Sequence, residues 1–308
     1  MLHFTVDLII LIILPPTMNW VPFVFIDAVC HQLKHEAFNQ VSQLSGSWSK
    51  VGSEHHKKRR EFGFRCKVND QEMSYKLSKI DRAFSREVTV ADLNLNFDRI
   101  TTLACGSALP SDHRVSLREF ERVVLPTVAS LVTNCSWPDL SPYRSLQNRI
   151  FFNAFKNCPG FRDIIVDEQG QESRDFVARQ VEMGNVQTLT LSGTGNWPEA
   201  ENLVETLKIF VSSTRFHQLY SSILLIDHYE LFELFLERAL AKELKLGAYI
   251  STVAGNLGNL DRSRLLALHP ECHDDSVEED EWWIPDSNLR IALRHHVTGI
   301  LKITMKVE

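Results

Sequence analysis

The sequence predicts an α/β protein in which a three-helix module precedes a body of alternating strands and helices. Three observations carry this prediction. Apolar residues recur at helical spacing within residues 19–60, and they alternate with polar residues directly afterwards. Short apolar runs then alternate with helical stripes through most of the remaining chain. The body, residues 61–308, is expected to be β-rich at its start and at its end.

Composition and charge narrow the class of protein. The chain has 308 residues, of which 44% are hydrophobic and 23% charged, and these values disfavour collagen, wholesale disorder and a multispan membrane protein. With 33 basic and 39 acidic residues, the net charge is −6. A general nucleic-acid binder would need a surplus of Lys and Arg. We expect a mildly acidic soluble protein of two unequal parts.

Residues 1–17 form an apolar leader of doubtful significance. The run from Val6 to Leu14 is shorter than the roughly 20 apolar residues that span a membrane. The first six residues contain no Lys or Arg, and no Ala-x-Ala-like cleavage site follows the run. A misassigned start, a real signal or anchor, and a packed helix remain open. The sequon at Asn134 would matter only in the secretory pathway.

The six cysteines give no sign of a disulfide framework or a zinc site, because they are widely spaced and contain no Cys-x-x-Cys pair. We therefore expect them to be small buried hydrophobic residues in a reducing compartment. A cytoplasmic or nuclear location follows from this interpretation, and no association with a membrane is expected.

The spacing of apolar residues within residues 19–60 predicts three short helices. Pro22 lies in the first turn of the first helix, and Gly46 ends the second. The apolar positions are Phe25, Ile26, Val29 and Leu33, then Phe38, Val41 and Leu44, and finally Trp48 and Val51, which share a stripe with His55. A unit of this size cannot build a large core of its own. We expect it to share an apolar surface with a partner or with the rest of the chain.

A basic run, residues 55–60, closes this module. It could be a nuclear localisation signal or a nucleic-acid patch. A solvated helix end is the favoured interpretation, because no interleaved aromatic residues or second basic stripe accompany the run.

The body begins with a predicted β-hairpin. Phe62, Phe64, Cys66 and Val68 alternate with polar residues, residues 69–72 resemble a turn, and Met73, Tyr75 and Leu77 alternate again. The alternation of Val88 and Val90, and then of Leu93, Leu95 and Phe97, predicts further strand structure.

Strands and helices then alternate. Strands are predicted from Ile100 to Cys105, at Ile164 to Val166, from Val186 to Leu191 and from Phe216 to Tyr220, and helices are predicted between them. One helix opens with the capping box Ser116-x-x-Glu119. At the end of the chain, residues 289–293 and 300–305 alternate as closing strands, which could cap the array.

The spacing of the predicted strands favours a repeat architecture. The starts at Arg162, Val186 and Phe216 are 24 and 30 residues apart, and 62 residues separate Ile100 from Arg162, or about two such steps. Leucine-rich repeats have a period of about 20–29 residues. The body is therefore predicted to be an irregular leucine-rich-repeat-like array, with an ordinary mixed sheet as the alternative. The leucine-rich consensus is matched only in part.

No motif for catalysis stands out. The chain lacks a phosphate-binding glycine loop and a nucleophile elbow. The cluster from His269 to Asp275 contains every common type of zinc ligand, but its spacing matches no known finger, and an exposed acidic loop is favoured. His295 and His296 are neighbours in a strand pattern and would point to opposite faces. We expect no catalytic residue, no cofactor and no metal.

The N-terminal module resembles an F-box. The layout of an F-box is Leu-Pro, a helix that ends in Leu, a second helix and a late Trp, and Val21-Pro22, Leu33 and Trp48 follow it. The whole chain resembles the large, divergent F-box protein families of nematodes. Val21 stands where the first Leu is usual, and Val24 stands where an acidic residue is usual.

The resemblance implies a non-enzymatic substrate-recognition adaptor of a cullin-RING (SCF) ubiquitin ligase. Residues 19–60 would bind the small adaptor subunit of the ligase, and the body would bind a protein substrate. The implied adaptor-binding residues are Val21, Pro22, Phe25, Ile26, Val29, Leu33, Phe38, Val41, Leu44 and Trp48. The main alternative is a protein-interaction scaffold with no ubiquitin-ligase role, and an enzyme or a secreted protein is a third class.

Overall fold

The fold is a mixed α/β architecture with one large mixed sheet. The computed structural model describes residues 21–68, 73–80, 88–105, 113–137, 146–167, 170–192, 200–224, 229–254, 279–284, 288–295 and 301–307. The predicted leader and the cluster from His269 to Asp275 lie outside these ranges. Within them, no helix has both the length and the apolar character needed to cross a membrane.

The chain divides into two compact units. The first unit, which we call the helical module, comprises the residues up to Glu61 together with Leu93–Arg99. The second unit, the sheet body, comprises Phe62–Asp92 and the chain from Ile100 onwards.

The helical module contains the three helices predicted for residues 19–60. They are α1 (Phe23–Gln32), α2 (Phe38–Val41) and α3 (Ser47–Lys58), with a 3-10 turn at His35–Ala37 before α2. Pro22 precedes α1, and its carbonyl oxygen accepts hydrogen bonds from the backbone N–H groups of Phe25 and Ile26. A proline fits here because the first N–H groups of a helix have no partner within the helix.

A small apolar core holds these helices together. It consists of the buried side chains Ile26, Cys30, Phe38, Val41, Trp48 and Val51. Gly52 allows α3 to approach α2 closely, because a Cβ at this position would lie 2.5 Å from the Cγ1 atom of Val41. The core is compact and leaves no room for a larger side chain at that point of contact.

The sheet body begins with the predicted hairpin. Strands β1 (Arg60–Val68) and β2 (Met73–Lys79) are antiparallel, and Phe64 is opposite Leu77. The short strand β4 (His113–Val115) pairs with the other edge of β2. The further strand predicted between β2 and Ile100 is wrong for residues 88–97. Val88 forms only an isolated bridge, and a 3-10 turn follows at Val90–Asp92.

A parallel array forms the middle of the sheet. Its strands are β3 (Asp98–Cys105), β5 (Val132–Trp137), β6 (Phe161–Asp167), β7 (Thr188–Ser192), β8 (Gln218–Leu224) and β9 (Tyr249–Ala254). They are hydrogen-bonded in this sequential order, and each is parallel to the next. The starts of β5 to β9 lie 27 to 31 residues apart.

Helices connect the successive parallel strands. They are α4, a continuous helical stretch made of Leu117–Glu119, a π-helical turn Phe120–Val124 and Leu125–Leu131; α5 (Leu146–Phe155); α6 (Gln171–Glu182); α7 (Ala200–Ser212); and α8 (Tyr229–Leu240). The predicted capping box is confirmed, since the Ser116 side chain accepts a hydrogen bond from the backbone N–H of Glu119. Each of these helices packs against the next. Because such crossovers are right-handed, a sequential strand order places all of them on one face of the sheet.

The core of the body lies between these helices and the sheet, and phenylalanine side chains fill much of it. Phe152 and Phe161 both contact Phe176, with ring centroids 5.4 and 5.8 Å apart. A second group joins Phe216 to Phe210 and Phe235. These contacts connect successive strand–helix units. Phe152 and Phe176 lie on the neighbouring helices α5 and α6, and Phe216, in the loop before β8, contacts residues of both α7 and α8.

Three antiparallel strands close the sheet. They are β10 (Glu279–Ile284), β11 (Leu289–His295) and β12 (Leu301–Val307), and β12 pairs with β9. The two predicted closing strands are therefore present, and β10 is an additional strand. The β-rich start and end of the body are confirmed in this coarse sense.

Candidate functional site

Three consecutive apolar side chains are exposed at the start of α1. The exposed fractions are 53% for Phe23, 77% for Val24 and 56% for Phe25. A run of exposed apolar residues of this size is uncommon on a soluble surface and typically marks an interaction site. We call Phe23–Phe25 the apolar tip of the helical module.

The ten predicted adaptor-binding residues fall into three groups. Ile26, Phe38, Val41 and Trp48 are buried in the core of the module, Val21, Val29, Leu33 and Leu44 are partly buried against it, and Pro22 and Phe25 are exposed. The buried residues can act on a partner only by holding the module together. The exposed apolar tip is the largest apolar surface open to direct contact in this part of the chain, and the prediction included Phe25 but missed Phe23 and Val24.

Polar contacts fix α1 against α3. The guanidinium group of Arg59 donates a hydrogen bond of 3.2 Å to the Cys30 carbonyl oxygen and lies 5.3 Å from the centre of the Phe38 ring. Burial lowers the pKa of Arg59, and the carboxylate of Glu61, 3.2 Å away, opposes that shift. The basic run was predicted to be a solvated helix end, but two of its residues, His55 and Arg59, are packed inside the module.

Asp27 is a second link between the helices. Its carboxylate accepts hydrogen bonds from the Nε2 atoms of His31, at 3.1 Å, and His55, at 2.8 Å. These three side chains could together hold a metal ion. This cluster was not predicted from the sequence. The available signal was the spacing of Asp27 and His31, which places them on the same face of a helix.

The sheet body carries a different kind of surface. Along the parallel strands buried and partly exposed residues alternate; in β7, for example, Leu189 and Leu191 are buried while Thr188 and Thr190 are partly exposed. The buried residues face the connecting helices, so their neighbours in the strand point to the opposite face of the sheet.

Two rows of side chains cross this opposite face in register. The first row is Ser136, Asp163, Thr188, Gln218 and Tyr249, and the second is Ile165, Thr190, Tyr220, Ser251 and Thr304. Nine of these ten residues can donate or accept hydrogen bonds. We call them the polar rows.

Hydrogen bonds within the polar rows order their side chains. The Ser136 hydroxyl donates to Asp163 at 2.7 Å, and the hydroxyls of Ser251 and Thr304 are 3.1 Å apart. Burial acts to raise the pKa of Asp163, but the hydrogen bonds that its carboxylate accepts outweigh burial and lower it. Burial, and then the neighbouring Tyr220, raise the pKa of Tyr249. The first row thus contains one carboxylate, that of Asp163, which is paired with the guanidinium group of Arg162 at 2.8 Å and lies among neutral hydroxyl and amide groups.

Four of the cysteines lie buried among the described residues. They are Cys30, Cys66, Cys135 and Cys158. This confirms the prediction of small buried residues for these four.

No protein-family model, no curated protein and no solved structure matches this chain. The resemblance to F-box proteins therefore stays a prediction, and the function has to be inferred from the apolar tip and the polar rows.

Proposed function

We propose that the protein is an F-box-type substrate-recognition adaptor of a cullin-RING ubiquitin ligase. In this proposal the helical module binds the small adaptor subunit and the sheet body binds a protein substrate. The observation that supports it most directly is the apolar tip, since Phe23, Val24 and Phe25 are exposed while the other large apolar residues in the range 21–61 are buried or partly buried.

The size of the apolar tip is sufficient to contribute measurably to binding. A phenylalanine side chain presents about 200 Å², so an exposed fraction of 56% for Phe25 corresponds to about 110 Å². At about 25 cal/mol per Å², covering this area is worth about 3 kcal/mol, or roughly a 100-fold change in affinity. Phe25 is therefore the best single residue at which to test the proposal.

The sheet body suits substrate capture. A sequential parallel sheet with its helices on one face is the arrangement expected of a leucine-rich-repeat-like body, and the observed steps of 27 to 31 residues are close to that period. The polar rows would then offer hydroxyl, amide and carboxylate groups to a protein substrate. A partly exposed polar face of this kind favours protein recognition over the binding of an apolar ligand.

Co-purification with the adaptor subunit from the same organism tests the proposal. The full chain should retain the subunit, and Phe25→Asp should reduce the retained amount at least tenfold. Ile209→Asp is a matched control, because Ile209 has the same exposed fraction of 56% but lies on α7 of the sheet body. Failure of the unchanged chain to retain the subunit would overturn the ligase role.

The alternative is a protein-interaction scaffold without a ligase role. The polar rows support substrate capture equally in both cases. If substitutions in the polar rows abolish capture of a protein partner while the chain never binds the adaptor subunit, the scaffold is the correct assignment.

A further inference from the structure

Asp27, His31 and His55 form a compact cluster that the proposed function does not use. Within the ranges that the structure describes, it is the one place where three side chains able to ligate a metal converge. We propose that this cluster is a binding site for a divalent transition-metal ion of the zinc type, which would link α1 to α3.

The residues reach the cluster from two helices. Asp27 and His31 are four residues apart on α1, so they lie on the same face of that helix. His55 comes from the last turn of α3, and its ring meets that of His31 edge to face, with centroids 4.8 Å apart. Two residues from one helix and one from a neighbouring helix enclose a common point.

The distances suit a metal ion. Zinc lies about 2.0–2.1 Å from nitrogen and oxygen ligands, so ligand atoms around a tetrahedral ion lie about 3.3 Å apart. The Asp27 oxygens lie 3.1 and 2.8 Å from the Nε2 atoms of His31 and His55. All three ligand atoms lie within 4.8 Å of one another. The largest separation, 4.8 Å, exceeds the tetrahedral spacing by about 1.5 Å, so the side chains would have to rotate by about 1 Å to close around an ion.

The imidazole rings of His31 and His55 are both oriented with their Nε2 atoms toward Asp27. The Nδ1 atoms of His31 and His55 are buried and have no hydrogen-bond partner among the described residues. Apart from packing, the orientation of each ring is therefore fixed by the hydrogen bond between its Nε2 atom and Asp27. Both of these atoms face the Asp27 carboxylate, and this is the convergence that a metal site requires.

Burial and ligand type define the kind of ion. The side-chain exposed fractions are 1% for His55, 24% for His31 and 38% for Asp27, so the cluster opens to solvent on one side. Three protein ligands with an open side leave a position for water or for a ligand from a partner. Two imidazoles with one carboxylate favour Zn²⁺, Co²⁺ or Fe²⁺ over Mg²⁺ and Ca²⁺, which take oxygen ligands.

A bound metal ion would stabilise the helical module, which has only a small apolar core. The helical module depends on a small core, and small units commonly rely on a metal or another cross-link. A bound ion would tie the middle and the last turn of α1 to α3, and so fix the helix that carries the apolar tip. This proposal does not depend on the ubiquitin-ligase role.

Metal titration of the full chain, produced without a polyhistidine tag, tests the site. Co²⁺ should bind with one equivalent whose visible absorption Zn²⁺ displaces. His31→Gln and Asp27→Asn should each weaken Zn²⁺ binding by about 100-fold or more, since even partners of metal ligands contribute about 10–100-fold. His56→Gln is the matched control, because His56 is exposed on the same helix beside His55 and should bind like the parent.

A second measurement removes any dependence on variants that fold poorly. The chain has 12 histidines, and ¹⁵N spectra of the parent histidines should show that Zn²⁺ shifts the Nε2 signals of His31 and His55. Absence of binding by the parent would overturn the proposal. So would equal affinity in the His31→Gln and Asp27→Asn variants, or Zn²⁺ shifts confined to other histidines.

Discussion

Replacement of Phe38 with alanine is expected to destabilise the helical module by about 4 kcal/mol. The Phe38 side chain is fully buried and stacks on the His55 ring, with centroids 5.7 Å apart. Loss of a buried phenylalanine ring typically costs about 3–5 kcal/mol. The guanidinium group of Arg59 lies over the same ring, and loss of that contact adds about 1 kcal/mol. Together the two losses come to about 4–6 kcal/mol, and the lower end of this sum is the expected destabilisation.

Hydrogen exchange measured by mass spectrometry is the appropriate assay, because it reports the opening of the module separately from the sheet body. Peptides from α1 to α3 should exchange up to about 1,000-fold faster in Phe38→Ala, since each 1.4 kcal/mol corresponds to about tenfold. Peptides from the parallel strands β6 to β8 should be unchanged.

Phe25→Ala is the internal control, since the Phe25 ring is 56% exposed and its removal should leave exchange in the module nearly unchanged. The two substitutions thus separate residues that hold the module together from residues that are free to contact a partner. Equal exchange in Phe38→Ala and the parent would refute the assignment of Phe38 to the core.

Three further predictions concern packing, pH and thiol reactivity. Gly160→Ala should lower thermal stability, because the added Cβ would lie within 3.0 Å of the Val132 backbone, whereas Gly63→Ala, with its nearest neighbour at 3.8 Å, should not. The folded-state pKa of Asp163 lies below its ordinary value of 3.8, so its contribution is present above that value and is lost as the pH falls through the folded pKa. The stability lost in Asp163→Asn, measured by urea unfolding, should therefore shrink at acidic pH, and a constant difference would contradict this. Burial raises the pKa of Cys30 to about 11, so iodoacetamide should alkylate it only in the unfolded chain, and rapid labelling of the native protein would show that the thiol is accessible.

Much of the fold was predictable because its signals are local. The hairpin is a period-two alternation interrupted by polar residues, and the structure pairs Phe64 with Leu77 as that alternation requires. The capping box depends on residues only three apart, Ser116 and Glu119, and is present as predicted. The 62-residue interval between Ile100 and Arg162 left room for one more strand, and β5 occupies it.

The strand predictions were wrong where apolar alternation and strand structure did not coincide. Val90 and Leu95 alternate like strand residues, but hydrogen bonds from Thr89 to Asp92 favour a 3-10 turn instead. Strand β10 went unrecognised because adjacent tryptophans at its centre follow three acidic residues and break the period-two pattern. It forms through pairing with β11, which is tertiary information.

The candidate sites were harder to predict because they depend on contacts between distant residues. Helical periodicity placed Phe25 and Phe38 on apolar stripes in the same way, and only the packing of α1 and α2 on α3 decides that Phe25 is exposed and Phe38 is buried. His55 lies 28 residues from Asp27. No local pattern brings these side chains together, so the cluster became visible only in the folded module.

The sequential strand order also has a consequence for how the protein can change over time. Each strand of the parallel array is hydrogen-bonded to the strands on either side, so a substitution at one position of the polar rows disturbs little beyond its two neighbours. Thr188, for example, has only Asp163 and Gln218 beside it in its row. A surface built in this way can acquire a new binding preference one side chain at a time, while the buried face that stabilises the fold stays the same.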